Sequence, residues 1–169
     1  DGFDYTSLDA SVKYQINAQH AVSAQLLLSD GEYGFDSTPS PNPLNLTATT
    51  AQAVALPKQE QMGLKWTAQW TDDWMSTVFF SRSKDVSVSQ YTRPSDGATA
   101  GIGRFDTARQ QFTWQNDIRL GKDLLTLLTD HRVDEVNSTT NYTVKERKVQ
   151  GVAASYALKR DGWDALATV

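Results

Sequence analysis

The sequence contains no cysteine. That excludes a disulfide framework and a thiolate metal site, and it leaves an oxidising compartment open. It contains no long apolar run either. The longest, residues 124–128, is interrupted by Thr126 and falls far short of the ~20 residues of a membrane-spanning helix. There is no excess of positive charge. The net charge is -4, the pI is about 5.1 and no basic stripe is present, which excludes nucleic acid as a partner. Histidine is nearly absent: His20 and His131 stand apart from any nucleophile pattern. Gly101-Ile102-Gly103 lacks the strand-to-helix setting of a dinucleotide site. No catalytic constellation remains, so the chain reads as a non-enzyme. Proline is sparse, and Pro39, Pro41, Pro43 and Pro57 crowd into one stretch. Low mean hydropathy does not exclude a membrane, because barrel strands turn only every second side chain to lipid.

What is present is alternation. In the stretch 107–130, Phe112, Trp114, Asn116, Ile118 and Leu120 fall on one face. Arg109, Gln111, Thr113, Gln115, Asp117 and Arg119 fall on the other. Period two with one apolar and one polar face marks a β-strand between two different media. About 13 residues at ~3.3 Å each make a strand of roughly 40 Å, against the usual ~5–6 residues. The polar face fits either the solvent side of a soluble antiparallel sheet or the lumen of an outer-membrane barrel.

The same alternation recurs along the chain. Residues 7–16, 22–28, 61–70, 74–90, 149–158 and 163–169 read as strands. Short turns are expected at 17–20, 71–73, 121–123 and 159–162. Longer loops are expected at 29–58, 91–105 and 134–142, where proline and glycine punctuate the chain. Short turns at one end and long loops at the other are a barrel asymmetry. Tyr14, Trp70, Trp74, Tyr156 and Trp163 all lie close to short turns. Amphipathic rings settle at membrane interfaces with the polar atom toward water, so these five are expected at an interface with outer-membrane lipid. The rival reading places them in the core of a soluble β-sandwich. Asp30, Glu32 and Asp36 gather at the start of the first long loop, as hard oxygen ligands for calcium or as a solvated cluster.

Several segments, taken in order and spacing, resemble TonB-dependent outer-membrane transporters of the cobalamin (vitamin B12) branch. They are Ser81-Arg82-Ser83-Lys84-Asp85, Phe112-Thr113-Trp114-Gln115-Asn116-Asp117 with Gly121 after it, and the turn Thr71-Asp72-Asp73-Trp74. The resemblance implies an all-β fold, an antiparallel meander of about eight long strands within a 22-stranded barrel. Residues 1–169 would then be consecutive barrel hairpins without the plug domain. The chain opens Asp1-Gly2-Phe3 without an initiator Met and reads as a piece of a larger protein. The family imports cobalamin across the Gram-negative outer membrane, and TonB acts through a region before the plug. Its extracellular loops hold calcium, and the matching positions here are Asp1 and Asp36, with Phe35 where the family has Tyr. Cargo contacts are expected from Phe35, Tyr91, Arg93 and Tyr142. A siderophore transporter is the near rival.

Overall fold

The computed structural model describes residues 2–36, 52–92 and 97–169. Eight strands account for most of them: β1 Phe3–Gln15, β2 His20–Asp36, β3 Gln52–Thr71, β4 Trp74–Thr92, β5 Thr99–Leu120, β6 Asp123–Ser138, β7 Glu146–Arg160 and β8 Trp163–Thr168. Each pairs antiparallel with the next, and the sheet keeps the order β1 to β8. The meander is open, with β1 and β8 as edges. The chain is therefore all-β, as the alternation predicts.

The register sorts the side chains into two faces. One continuous row runs Val12, Ala24, Leu64, Phe80, Phe112. The next runs Tyr14, Val22, Trp66, Val78, Trp114, Thr129, Val152. Ile118, Leu125 and Tyr156 continue the same face toward the short turns. We call this face outward. Gln111, Thr113, Gln115 and Arg119 occupy the opposite, inward face. The sheet is a single layer, and it has no packed core. Among the described residues the buried apolar ones are three alanines, Ala53, Ala55 and Ala68, while Leu64 is 49% and Val152 82% exposed. A soluble domain buries such a face against a second layer. A sandwich core is thus not the environment of the tryptophans among the described residues.

The connections alternate strictly between ends. Residues 16–19, 72–73, 121–122 and 161–162 close one end, and 37–51, 93–98 and 139–145 join strands at the other. In the first turn, Asn17 Oδ1 accepts the backbone N–H groups of Gln19 and His20, each at 2.8 Å. Gly121 and Gly162 take φ of 67° and 89°, a region costly for any residue with a Cβ.

The strands are longer than proline and glycine punctuation suggests, which corrects the three expected loops. Residues 29–36 and 52–58 extend β2 and β3, residues 91–92 and 99–105 extend β4 and β5, and residues 134–138 extend β6. Pro57 is tolerated inside β3 because the β2–β3 ladder is interrupted there, between Asp30↔Lys58 and Tyr33↔Ala55. On the other side Pro57 still pairs with Ser87. Gly31 makes room for the ring: a Cβ there would stand 3.3 Å from Pro57 Cγ and 3.1 Å from a Tyr5 ring carbon. Asp30 and Glu32 consequently belong to β2, and Asp30 forms a 2.8 Å ion pair with Lys58.

Candidate functional site

Near the short turns, the outward face carries a belt of aromatic rings. Trp66 and Trp70 meet edge to face at 5.8 Å, and Trp74 lies tilted by 43° against Trp70 at 6.0 Å. The His20 ring stacks on Trp66 at 5.8 Å and meets Trp70 edge-on at 5.6 Å. The polar tips of these rings do not all turn to water, contrary to the sequence expectation. Trp70 Nε1 donates to Ser76 Oγ at 2.9 Å, and Trp74 Nε1 donates to Asn116 Oδ1 at 3.1 Å. Ser76 Oγ donates to the same oxygen at 2.6 Å. Tyr156 OH donates to Asp123 Oδ2 at 2.9 Å, where Arg160 and the Lys159 amide also bind. Hydrogen bonds made within the sheet let these groups sit in an apolar phase without stranded donors. Tyr14 and Trp163 project freely, 67% and 56% exposed.

The inward face is cross-linked by carboxylates. Asp130 Oδ1 accepts from Gln111 and Thr113 at 2.7 and 2.8 Å. Asp117 Oδ1 accepts from Thr126 at 2.7 Å, and Asp117 Oδ2 accepts from Gln115 at 2.8 Å. Toward the long-connection end, Asp134 is held by Arg109 Nε at 2.7 Å and Arg147 Nη2 at 2.8 Å. Arg132 Nε lies 3.3 Å away but makes no hydrogen bond. Three guanidiniums thus surround one carboxylate, and Asp85, Glu135 and Glu146 bring further negative charge close by. They stand beside a concavity of about 420 Å³ whose wall includes Phe105, Tyr142, Arg109 and Arg147.

Aromatic rings gather at this end of the inward face. Phe35 and Tyr91 meet edge-on at 6.4 Å across Ala53, which is 2% exposed. Tyr33 flanks Phe35 at 6.2 Å, Phe3 stacks on Tyr5 at 6.2 Å, and Phe105 meets Tyr142 at 6.0 Å. Gly101 lies opposite Tyr91, whose ring a Cβ there would meet at an ordinary 3.9 Å. Of the four expected cargo contacts, Phe35 and Tyr91 are therefore brought together, and Tyr142 lies on a separate pair with Phe105. Arg93 lies outside the described residues, as do Asp1 and the Asp36 side chain. Among the described residues no group of three or more His, Asp or Glu could hold a metal ion. Sequence reasoning missed Phe3, Tyr5, Tyr33 and Phe105. The signal was there: Phe3/Tyr5 and Tyr33/Phe35 are spaced by two, as strand neighbours on one face are.

No protein-family profile matches the chain, and no curated protein matches it. Among solved structures it is similar to BauA, the ferric preacinetobactin receptor of Acinetobacter baumannii, with a TM-score of 0.59 and 13% sequence identity. The likeness covers 98% of this chain and 30% of that receptor. At that identity it is a likeness of fold.

Proposed function

We propose that this chain is part of the barrel wall of a TonB-dependent transporter in a Gram-negative outer membrane, and that the parent protein imports cobalamin. The observation that carries the reading is the unpartnered two-faced sheet. Its outward face is apolar and exposed, its inward face is polar and cross-linked, and its connections differ in length between the two ends. On β5 the outward apolar positions run from Phe112 to Leu120. Eight steps of ~3.3 Å at a barrel tilt of ~40° span roughly 20 Å, close to the ~25 Å apolar band of such proteins. From Phe112 to Ile118 the β5 backbone is laddered to β4 on one side and to β6 on the other, as a hydrocarbon phase demands.

The aromatic end of the inward face is where cargo is expected to dock. Flat rings at Phe35, Tyr91, Phe105 and Tyr142 suit a bulky, largely neutral macrocycle. The plug and the TonB contact implied by the resemblance belong to parts of the parent outside these strands. Calcium near Asp1 and Asp36 stays part of the proposal. A ferric siderophore is the second reading for the cargo, favoured by the three guanidiniums around Asp134 and by the cargo of the BauA receptor. Titrating the full-length protein with cyanocobalamin and with a ferric siderophore separates the two. Tight binding of cyanocobalamin that weakens in Phe35→Ala and Tyr142→Ala supports the first reading. Binding of the iron chelate alone reassigns the cargo and leaves the transporter class standing.

A further inference from the structure

The two edges of the outward apolar band differ. The short-turn edge is aromatic, and the edge toward the long connections is charged. There Arg82 and Lys84 follow Phe80 on β4, two and four residues on and on the same face. Successive positions on one face are about 6.6 Å apart along a strand, so both cations can reach one phosphate group. The other outward strand cations near that edge are already engaged. Lys58 pairs with Asp30 at 2.8 Å, Arg104 with Asp106 at 2.8 Å, and Lys148 with Glu146 at 2.9 Å. Among the described residues Arg82 and Lys84 have no such partner. Glu60 lies across from Lys84 in the ladder without forming an ion pair. Gln110 and Ala108 are their neighbours on β5.

Beside Arg82, across the β3–β4 ladder, lies a trough. Arg82 is paired with Met62, and Met62 forms part of the trough wall. The trough has a volume of about 590 Å³ and is walled by Ala10, Ala24, Leu26, Met62, Leu64 and Phe80. Ala10 and Ala24 are small beside Leu26, Leu64 and Phe80, which leaves a groove in an otherwise bulky face. An apolar groove whose Met62 wall adjoins Arg82, with Lys84 next on the same face, fits a lipid with an acyl chain and an anionic head.

We infer that this outward trough binds one phosphate-bearing lipid of the leaflet nearest the long connections, with its acyl chain over Ala24 and its phosphate between Arg82 and Lys84. The inference rests on the membrane reading of the outward face. A basic group beside an anionic lipid contributes about a fivefold preference, so two contribute roughly 25-fold. The test offers the full-length protein in detergent micelles equal amounts of phosphatidic acid and phosphatidylcholine with matched chains. Retained lipids are counted by native mass spectrometry. The expected result is roughly 25-fold enrichment of phosphatidic acid, lost in R82Q/K84Q and kept in R104Q, whose cation is already paired. Ala24→Phe, which fills the groove, lowers phosphatidic acid retention without removing charge. Enrichment that survives R82Q/K84Q, or falls equally in R104Q, overturns the site. Complete displacement by inorganic phosphate overturns the lipid as occupant. A protein that retains neither lipid and stays dispersed without detergent overturns the membrane reading as well.

Discussion

Placing one arginine on each face of the same strand turns the proposed environments into a number. Leu64 lies in β3 between Ala24 and Phe80, in the middle of the outward apolar rows, and is 49% exposed. If that exposure is to hydrocarbon, Leu64→Arg near the band's middle costs about 2–4 kcal/mol. That corresponds to roughly 30- to 900-fold in the folding equilibrium. If the exposure is to water, the same change stays within about 0.5 kcal/mol, as surface substitutions do. The control is Gln61→Arg, on the inward face of the same strand between Leu27 and Ser83. The native chain already carries a cation on that face at Lys65, so the control is expected to stay within about 0.5 kcal/mol. Reversible urea unfolding of the full-length protein in phospholipid vesicles reads both. Equal effects at the two positions, or a neutral Leu64→Arg, would refute the assignment of faces.

Three further outcomes are expected. Asn116→Leu strands Trp74 Nε1 and Ser76 Oγ and lowers stability by about 1–3 kcal/mol, whereas Asn116→Asp keeps the acceptor and loses less; unfolding followed by tryptophan fluorescence distinguishes them. Asp123→Ala removes the acceptor of the Lys159 amide, so hydrogen exchange at that amide speeds up while amides of β3 do not change; uniform acceleration would show a global effect instead. Millimolar calcium is expected to slow proteolysis between β2 and β3, and Asp36→Ala to abolish that protection; equal digestion rates with and without calcium would remove the metal from the proposal.

Alternation made the strands and their faces legible, because a side-chain period of two is a local property. Strand ends were not legible. Pro57, Gly101 and Gly103 signal breaks locally, yet each sits in a strand, and Pro57 is accommodated by a ladder gap on its β2 side. Such compensation belongs to the partner strand and leaves no mark in the local sequence. The candidate site divides the same way. Phe35, Tyr91 and Tyr142 could be named as aromatic residues near long connections, but the Phe35–Tyr91 contact needs Ala53 between them. The grouping of Arg109, Arg132 and Arg147 on Asp134 depends on the registers of β5, β6 and β7, which no spacing within one segment reveals. The indole donors were misjudged for a related reason, since Ser76 and Asn116 lie across the ladder from the rings they satisfy.

The central claim is that the outward face meets lipid while the inward face meets water. The absence of cysteine from this chain lets single cysteines be introduced one at a time from position 111 to 120 and labelled with a nitroxide. Collision rates with oxygen, which partitions into lipid, and with a water-soluble nickel chelate then report the medium at each site. The account predicts oxygen maxima at 112, 114, 118 and 120 and nickel maxima at 111, 113, 115 and 119, out of phase by one residue. Loss of that alternation, or protection of the even positions from both reagents as in a packed two-sheet core, would contradict it.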